Sequence, residues 1–264
     1  MTTNETTTAG VFDTPDGASS NRSMAIGSRM LYSRLIGALF LAAFVLYGVG
    51  TGLVTSVLGT PNVLSTLSAQ QTPLVLGAFL MLLNSVVVVG LGALFFPVIE
   101  HYGKRTALAY LAARIVEAVL LAIGVLCLLM LMPLGQAAVA AGEANAAWAI
   151  ALGSLLTQAN TMAFQIAMLS LGLASLFLCV LLVRTRLIPR LLALWGFLGY
   201  ALFLGGAIAE IFGMNIGIMP SIPGGLFELA VGCWLLIKGF APEAYGSRVE
   251  VVLPATSRPA LATR

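Results

Sequence analysis

Charge is what this sequence has least of. Asp, Glu, Lys and Arg make up 9% of its 264 residues, against ~25% in an ordinary soluble domain, and the mean hydropathy is +1.02. Such a chain cannot cover itself with a water-soluble surface, so lipid is its expected solvent. Histidine occurs once, at His101, which rules out a two-histidine metal or haem site within one chain and leaves serine catalysis without a base at membrane depth. The only aspartates, Asp13 and Asp16, precede the first apolar run. That removes a membrane aspartyl dyad and an acidic metal site for headgroup transfer. Despite 28 glycines, neither a GxGxxG nor a Walker pattern occurs. Cys127, Cys179 and Cys233 each sit in an apolar run with no second thiol or histidine at ligand spacing, and read as small core hydrophobes. No metal and no cofactor is expected. Enzymatic activity is disfavoured, although Glu117 and Glu228 could serve acid and base roles.

What the sequence does have is long apolar runs. Crossing a hydrocarbon core of ~30 Å takes ~20 mostly apolar residues, and six stretches qualify: Leu31 to Leu58, Pro73 to Ile99, Ala107 to Met132, Thr161 to Val183, Leu191 to Phe212, and Ser221 to Ile237. They are apolar on every face, without the period-two polarity of a barrel strand, and backbone groups in lipid must be satisfied within the segment. The expected fold class is therefore all-α, a polytopic integral membrane bundle of six transmembrane helices. The expected organisation is a disordered cytoplasmic tail over residues 1–30, a six-helix domain over 31–240, and a second disordered cytoplasmic tail over 241–264. The connection from Pro133 to Asn160, around an apolar patch at Trp148 to Leu156, reads as a long outer loop that could hold a short helix on the membrane surface.

The few charges give the orientation. Arg22, Arg29, Arg34, Lys104, Arg105, Arg184, Arg186, Arg190 and Lys238 flank the runs at every second connection, and Arg248, Arg258 and Arg264 follow the last run. By the positive-inside rule that side is cytoplasmic, with both termini on it. Tyr32, Tyr102, Trp195 and Trp234 lie near the same interface, as anchors. No face gathers the basic residues into a patch, so nucleic acid is not an expected partner. Gly48 and Gly52, with Ala201 and Gly205, have the small-residue spacing of close helix packing in lipid.

Ionised groups at membrane depth cost at least ~2.5 kcal/mol each, so those present are informative. Counting 1.5 Å per residue from Arg105 and Lys238 puts Arg114 ~14 Å deep, Glu117 ~18 Å and Glu228 ~15 Å. Arg114 and Glu117 share a helix face at a spacing of three. The expectation is a buried cluster in which Arg114 bridges Glu117 and Glu228, with one carboxylate protonated. Two readings stay open: a brace that pins the third helix to the sixth, or a site that binds a small ligand or relays a proton. Asn84 and Gln165, counted further outward, either line the outer half of such a pocket or join helices.

Five segments in this order resemble the bacterial membrane proteins grouped as domain of unknown function family 4386: Arg34-Leu-Ile-Gly, Leu83-Asn-Ser-Val through Phe96-Pro97, Ala113-Arg-Ile-Val-Glu-Ala-Val-Leu-Leu121, Arg186-Leu-Ile-Pro-Arg through Trp195-Gly196, and Glu228-Leu-Ala-Val-Gly-Cys-Trp-Leu-Leu-Ile-Lys-Gly-Phe240. The resemblance implies a six-helix membrane domain and supplies no function. The sequence thus leads to a multi-pass protein whose partners are the bilayer and a small-molecule ligand at the polar cluster. The alternative is a scaffold or regulatory subunit packed against a second copy or another membrane protein.

Overall fold

The computed structural model describes residues 15–60, 71–142 and 147–241, with side chains from Met30 onward. Among these residues the fold is all-α. Helix α1 runs Pro15–Leu58, α2 Gln71–Leu129, α3 Leu131–Ala141, α4 Ala147–Thr185 and α5 Arg190–Ile211; a 3-10 turn at Met219–Ser221 leads into α6, Ile222–Ile237. Five stretches are long and apolar enough to cross a membrane: Met30–Leu58, Gln71–Ala141, Ala147–Thr185, Arg190–Ile211 and Met219–Ile237. The chain is a multi-pass membrane protein. Its outward faces are as apolar as its core: on α2, Leu76, Phe79, Leu83 and Val86 are exposed while Leu74, Ala78 and Met81 beside them are buried. Only lipid makes such a surface stable.

The six expected runs appear as five stretches because α2 merges two of them across a non-helical Gly103. The chain folds back there. A methyl group on Gly92 would lie 3.0 Å from Cβ of Arg114, and the rings of Phe95 and Tyr110 are 5.7 Å apart. Along a straight helix, 22 residues would put Gly92 and Arg114 ~33 Å apart. We call the two arms 71–102 and 104–129.

Helix neighbours are α1 with α2, α2 with α4, α4 with α5, α5 with α6, and α6 again with α1, so the bundle closes on itself. Two of these approaches depend on paired glycines. A methyl on Gly37 would lie 2.6 Å from the Gly232 carbonyl oxygen, and one on Gly50 2.8 Å from that of Gly77. Gly48, Gly52 and Gly205, the small residues expected to pack, have no neighbour within 4 Å. The expected spacing was present, but the helices are rotated so that Gly50, between Gly48 and Gly52, makes the contact.

The outer connection, expected to be able to hold a short helix, is largely helical, and part of the expected N-terminal tail is helix as well. The outer connection 133–160 is mostly occupied by α3 and the first turns of α4, which pack together through Leu131, Leu134, Ala138 and Ala149. Alanine-rich sequence favours this continuation, and it ends at Gly142, whose positive φ of 78° suits glycine. Residues 15–30 of the expected N-terminal tail form the first turns of α1. Pro15 is preset for a first helical turn, and extension from an existing helix needs no new nucleus. Residues 1–14 and 242–264, the rest of the two tails, lie outside the described residues.

Candidate functional site

Tyr110, Arg114 and Glu117 lie on one face of the second arm of α2, at spacings of four and three. The second arm touches Gly92 of the first arm through Arg114, whose side chain also lies against Phe40 of α1 and Glu228 of α6. Gly92 makes room for it, since a larger residue there would press on Cβ and Cγ of Arg114.

The guanidinium is almost fully engaged. Its Nη1 donates to Glu117 Oε2 at 3.0 Å, while Nε and Nη2 both donate to the Tyr110 hydroxyl, at 3.0 and 2.8 Å. Nη2 also lies 3.6 Å from Glu228 Oε1, an ion pair rather than a hydrogen bond. That same oxygen accepts a 2.6 Å hydrogen bond from the Tyr200 hydroxyl of α5. Phe40 and Tyr110 present ring centroids 6.0 and 5.2 Å from the guanidinium carbon, within range of a cation–π attraction. Tyr200 is held edge-on between Phe203 and Phe227.

The three charged residues named from sequence are thus brought together, with Arg114 between two carboxylates. Their exposure differs. The side chains of Arg114 and Glu117 are 3% and 5% accessible and that of Glu228 is 23%, so the cluster is sealed except on the Glu228 side. Toward the basic end of the bundle it is closed by rings: Phe95 meets Phe40, Tyr110 and Phe240.

Asn84 is not part of the cluster. It is eight residues from Gly92 on the same arm, ~12 Å along the axis, and its buried Oδ1 has no hydrogen-bond partner among the described residues. Gln165 is half-buried on α4. Glu210 has a local task, accepting the Gly217 amide at the loop that follows α5.

Sequence reasoning missed both tyrosines. Tyr110 is one turn from Arg114 on the same face. Tyr200 is ten residues from Arg190, ~15 Å deep by the count that placed Glu228. The depth rule applied to phenols would have found it.

The family model for domain of unknown function DUF4386 matches residues 35–239, which include every residue of the cluster. No curated protein and no solved structure matches the chain. The chain belongs to the DUF4386 family.

Proposed function

We propose that this DUF4386 member crosses a bacterial plasma membrane six times, with the two arms of α2 as separate spans, and that its buried cluster binds a proton or a small cationic ligand at Glu228. Support for six crossings comes from the reversal at Gly103. The end of the bundle that carries Arg34, Lys104, Arg105, Arg184, Arg186, Arg190 and Lys238 then faces the cytoplasm by the positive-inside rule, together with both termini.

The site reading rests on one observation: Glu228 is the only member of the cluster open to its surroundings. With both carboxylates ionised the cluster carries one negative charge too many for a low-dielectric interior. Glu117 is committed to a hydrogen bond with Arg114, so the surplus resides on Glu228. A proton, or a cation that replaces it, balances the charge and arrives from the accessible side. The Tyr200 hydrogen bond fixes which carboxylate oxygen is already engaged, leaving the other for the incoming group. Asn84, deeper along the bundle axis and with an unanswered oxygen, marks a second polar station for such a ligand.

The test has two readouts. A cysteine at position 228, in a background without the three native cysteines, is labelled by an impermeant thiol reagent from one side only. Infrared difference spectra across a pH titration show the carbonyl band of a protonated carboxyl group, and E228Q removes it. An unlabelled cysteine in a folded protein, with no titrating band, would leave the cluster as a helix brace and nothing more.

A further inference from the structure

A second charged region lies apart from the cluster, at the basic end of the bundle. The turn from α4 into α5 and the residues closing α6 form the walls of an open cleft of about 390 Å³, lined by Arg186, Ile188, Pro189, Arg190, Trp234 and Lys238 among others. Three of these are cations and none is acidic. Among the described residues no carboxylate lies within ion-pair distance of Arg186, Arg190 or Lys238; the ion pairs there all belong to Arg114. This is unlike Arg34 at the same end, which donates to the Leu236 carbonyl.

Two further features converge on the cleft. The 22-residue α5 begins there after Pro189, and no side chain caps its N-terminus, so its first amides and the positive end of its dipole are directed at the cleft mouth. Below Arg190 the outward face of α5 is a continuous apolar track of Leu191, Leu194, Leu198 and Leu202, all exposed. Their spacing of three, four and four keeps them on one helix face. A basic cavity lined by Arg190, next in sequence to the start of such a track, matches a ligand with an anionic head and an apolar tail. Free phosphate would use the first feature and have no use for the second.

We propose that this cleft binds a phosphate group, and that in the bilayer its occupant is the headgroup of an anionic phospholipid whose acyl chain lies along α5. Arg186, Arg190 and Lys238 supply the charge, Trp234 the interfacial wall, and the start of α5 the backbone donors. The site is independent of the Glu228 cluster.

The test uses the full chain in phosphatidylcholine nanodiscs doped with phosphatidylglycerol of the same acyl chains, with retained lipid counted by native mass spectrometry. Each of R186Q, R190Q and K238Q is expected to weaken phosphatidylglycerol retention about fivefold, the worth of one cation near a membrane surface. The K104Q/R105Q pair, at the same end and outside the cleft, is expected to change it less than about twofold. A photoreactive phosphatidylglycerol on the unaltered chain, which needs no variant to fold, crosslinks to peptides within 186–195 and 234–241. Inorganic phosphate, titrated into phosphatidylcholine nanodiscs in which the photoreactive phosphatidylglycerol is the sole anionic lipid, separates the sources: failure to displace the crosslinking at millimolar concentration assigns the site to lipid, and displacement assigns the same phosphate site to a soluble anion. Equal losses in the cleft variants and the Lys104/Arg105 pair, with scattered crosslinks, would overturn the proposal and reduce these charges to orientation signals.

Discussion

Two regions of the bundle gather charge, and they treat it in opposite ways. At the cluster each charge has a partner: Arg114 is held by Glu117, Glu228 and Tyr110, and Glu228 by Tyr200. At the basic end Arg186, Arg190 and Lys238 line a cleft with no counter-charge among the described residues. The difference follows from solvent. At mid-depth an ion without a partner costs more than the fold can spare, whereas at the interface water and headgroups take the partner's place. Pairing in a sealed position, as at Arg114 and Glu117, therefore identifies structural charge, whereas exposure identifies charge available to a ligand, at Glu228 as at the cleft.

Removing the centre of the paired region is the most damaging way to break this contrast. R114A leaves Glu117 buried without its donor, and the loss of one partner from a buried pair costs ~3–5 kcal/mol. Unfolding of the purified protein in mixed micelles by a denaturing detergent should report that loss. R114Q and E228Q combined should be non-additive, with a coupling of ~0.5–3 kcal/mol; strict additivity would mean the 3.6 Å approach is no interaction at all.

The two carboxylates sharpen the comparison within the cluster. E117Q loses a charge-assisted hydrogen bond in a sealed position, worth ~1.5–3 kcal/mol. E228Q retains an acceptor for Tyr200 and leaves a neutral Arg114–Glu117 pair, so its stability should stay within about 1 kcal/mol of the parent. The asymmetry is the prediction: a brace needs both residues, whereas a site keeps one for binding. If E228Q is the more destabilising of the two, Glu228 is holding helices rather than waiting for a proton.

How much of this was legible beforehand follows from which forces act along one helix and which act between helices. Lipid-crossing runs, the turn near Gly103 and the common depth of Arg114, Glu117 and Glu228 all follow from counting residues at a fixed rise, and the structure brings those three together. Rotation about the helix axis does not follow from counting. Gly48 and Gly52 satisfied a spacing rule, yet Gly50 faces the neighbour, because in a helix apolar on every side nothing in the sequence marks which face turns inward. Asn84, counted further outward, does lie apart from the cluster, ~12 Å along the arm from Gly92, and counting could not say whether it lines a pocket or joins helices. The 133–160 segment was legible only as a connection able to hold a short helix, because Glu143 and Asn145 marked a break, while the alanines and leucines on either side still had each other to pack against.

The smallest expected effect is the most discriminating, because it separates stability from binding in opposite directions. Arg186 adopts a positive φ of 58° directly after α4, where its amide closes the helix on the Leu182 carbonyl. Glycine is the usual residue for that left-handed position, and a side chain there costs ~1–2 kcal/mol. R186G should therefore stabilise the folded protein by about 1 kcal/mol, read from the same detergent unfolding curves, while it weakens phosphatidylglycerol retention. An arginine kept where glycine would fold better has its use in what the side chain reaches, which is the cleft. If R186G is more stable and binds anionic lipid as well as the parent does, Arg186 belongs with the orientation signals; if it is less stable, the side chain is a structural member of the turn, and the contrast between paired and available charge fails at this residue.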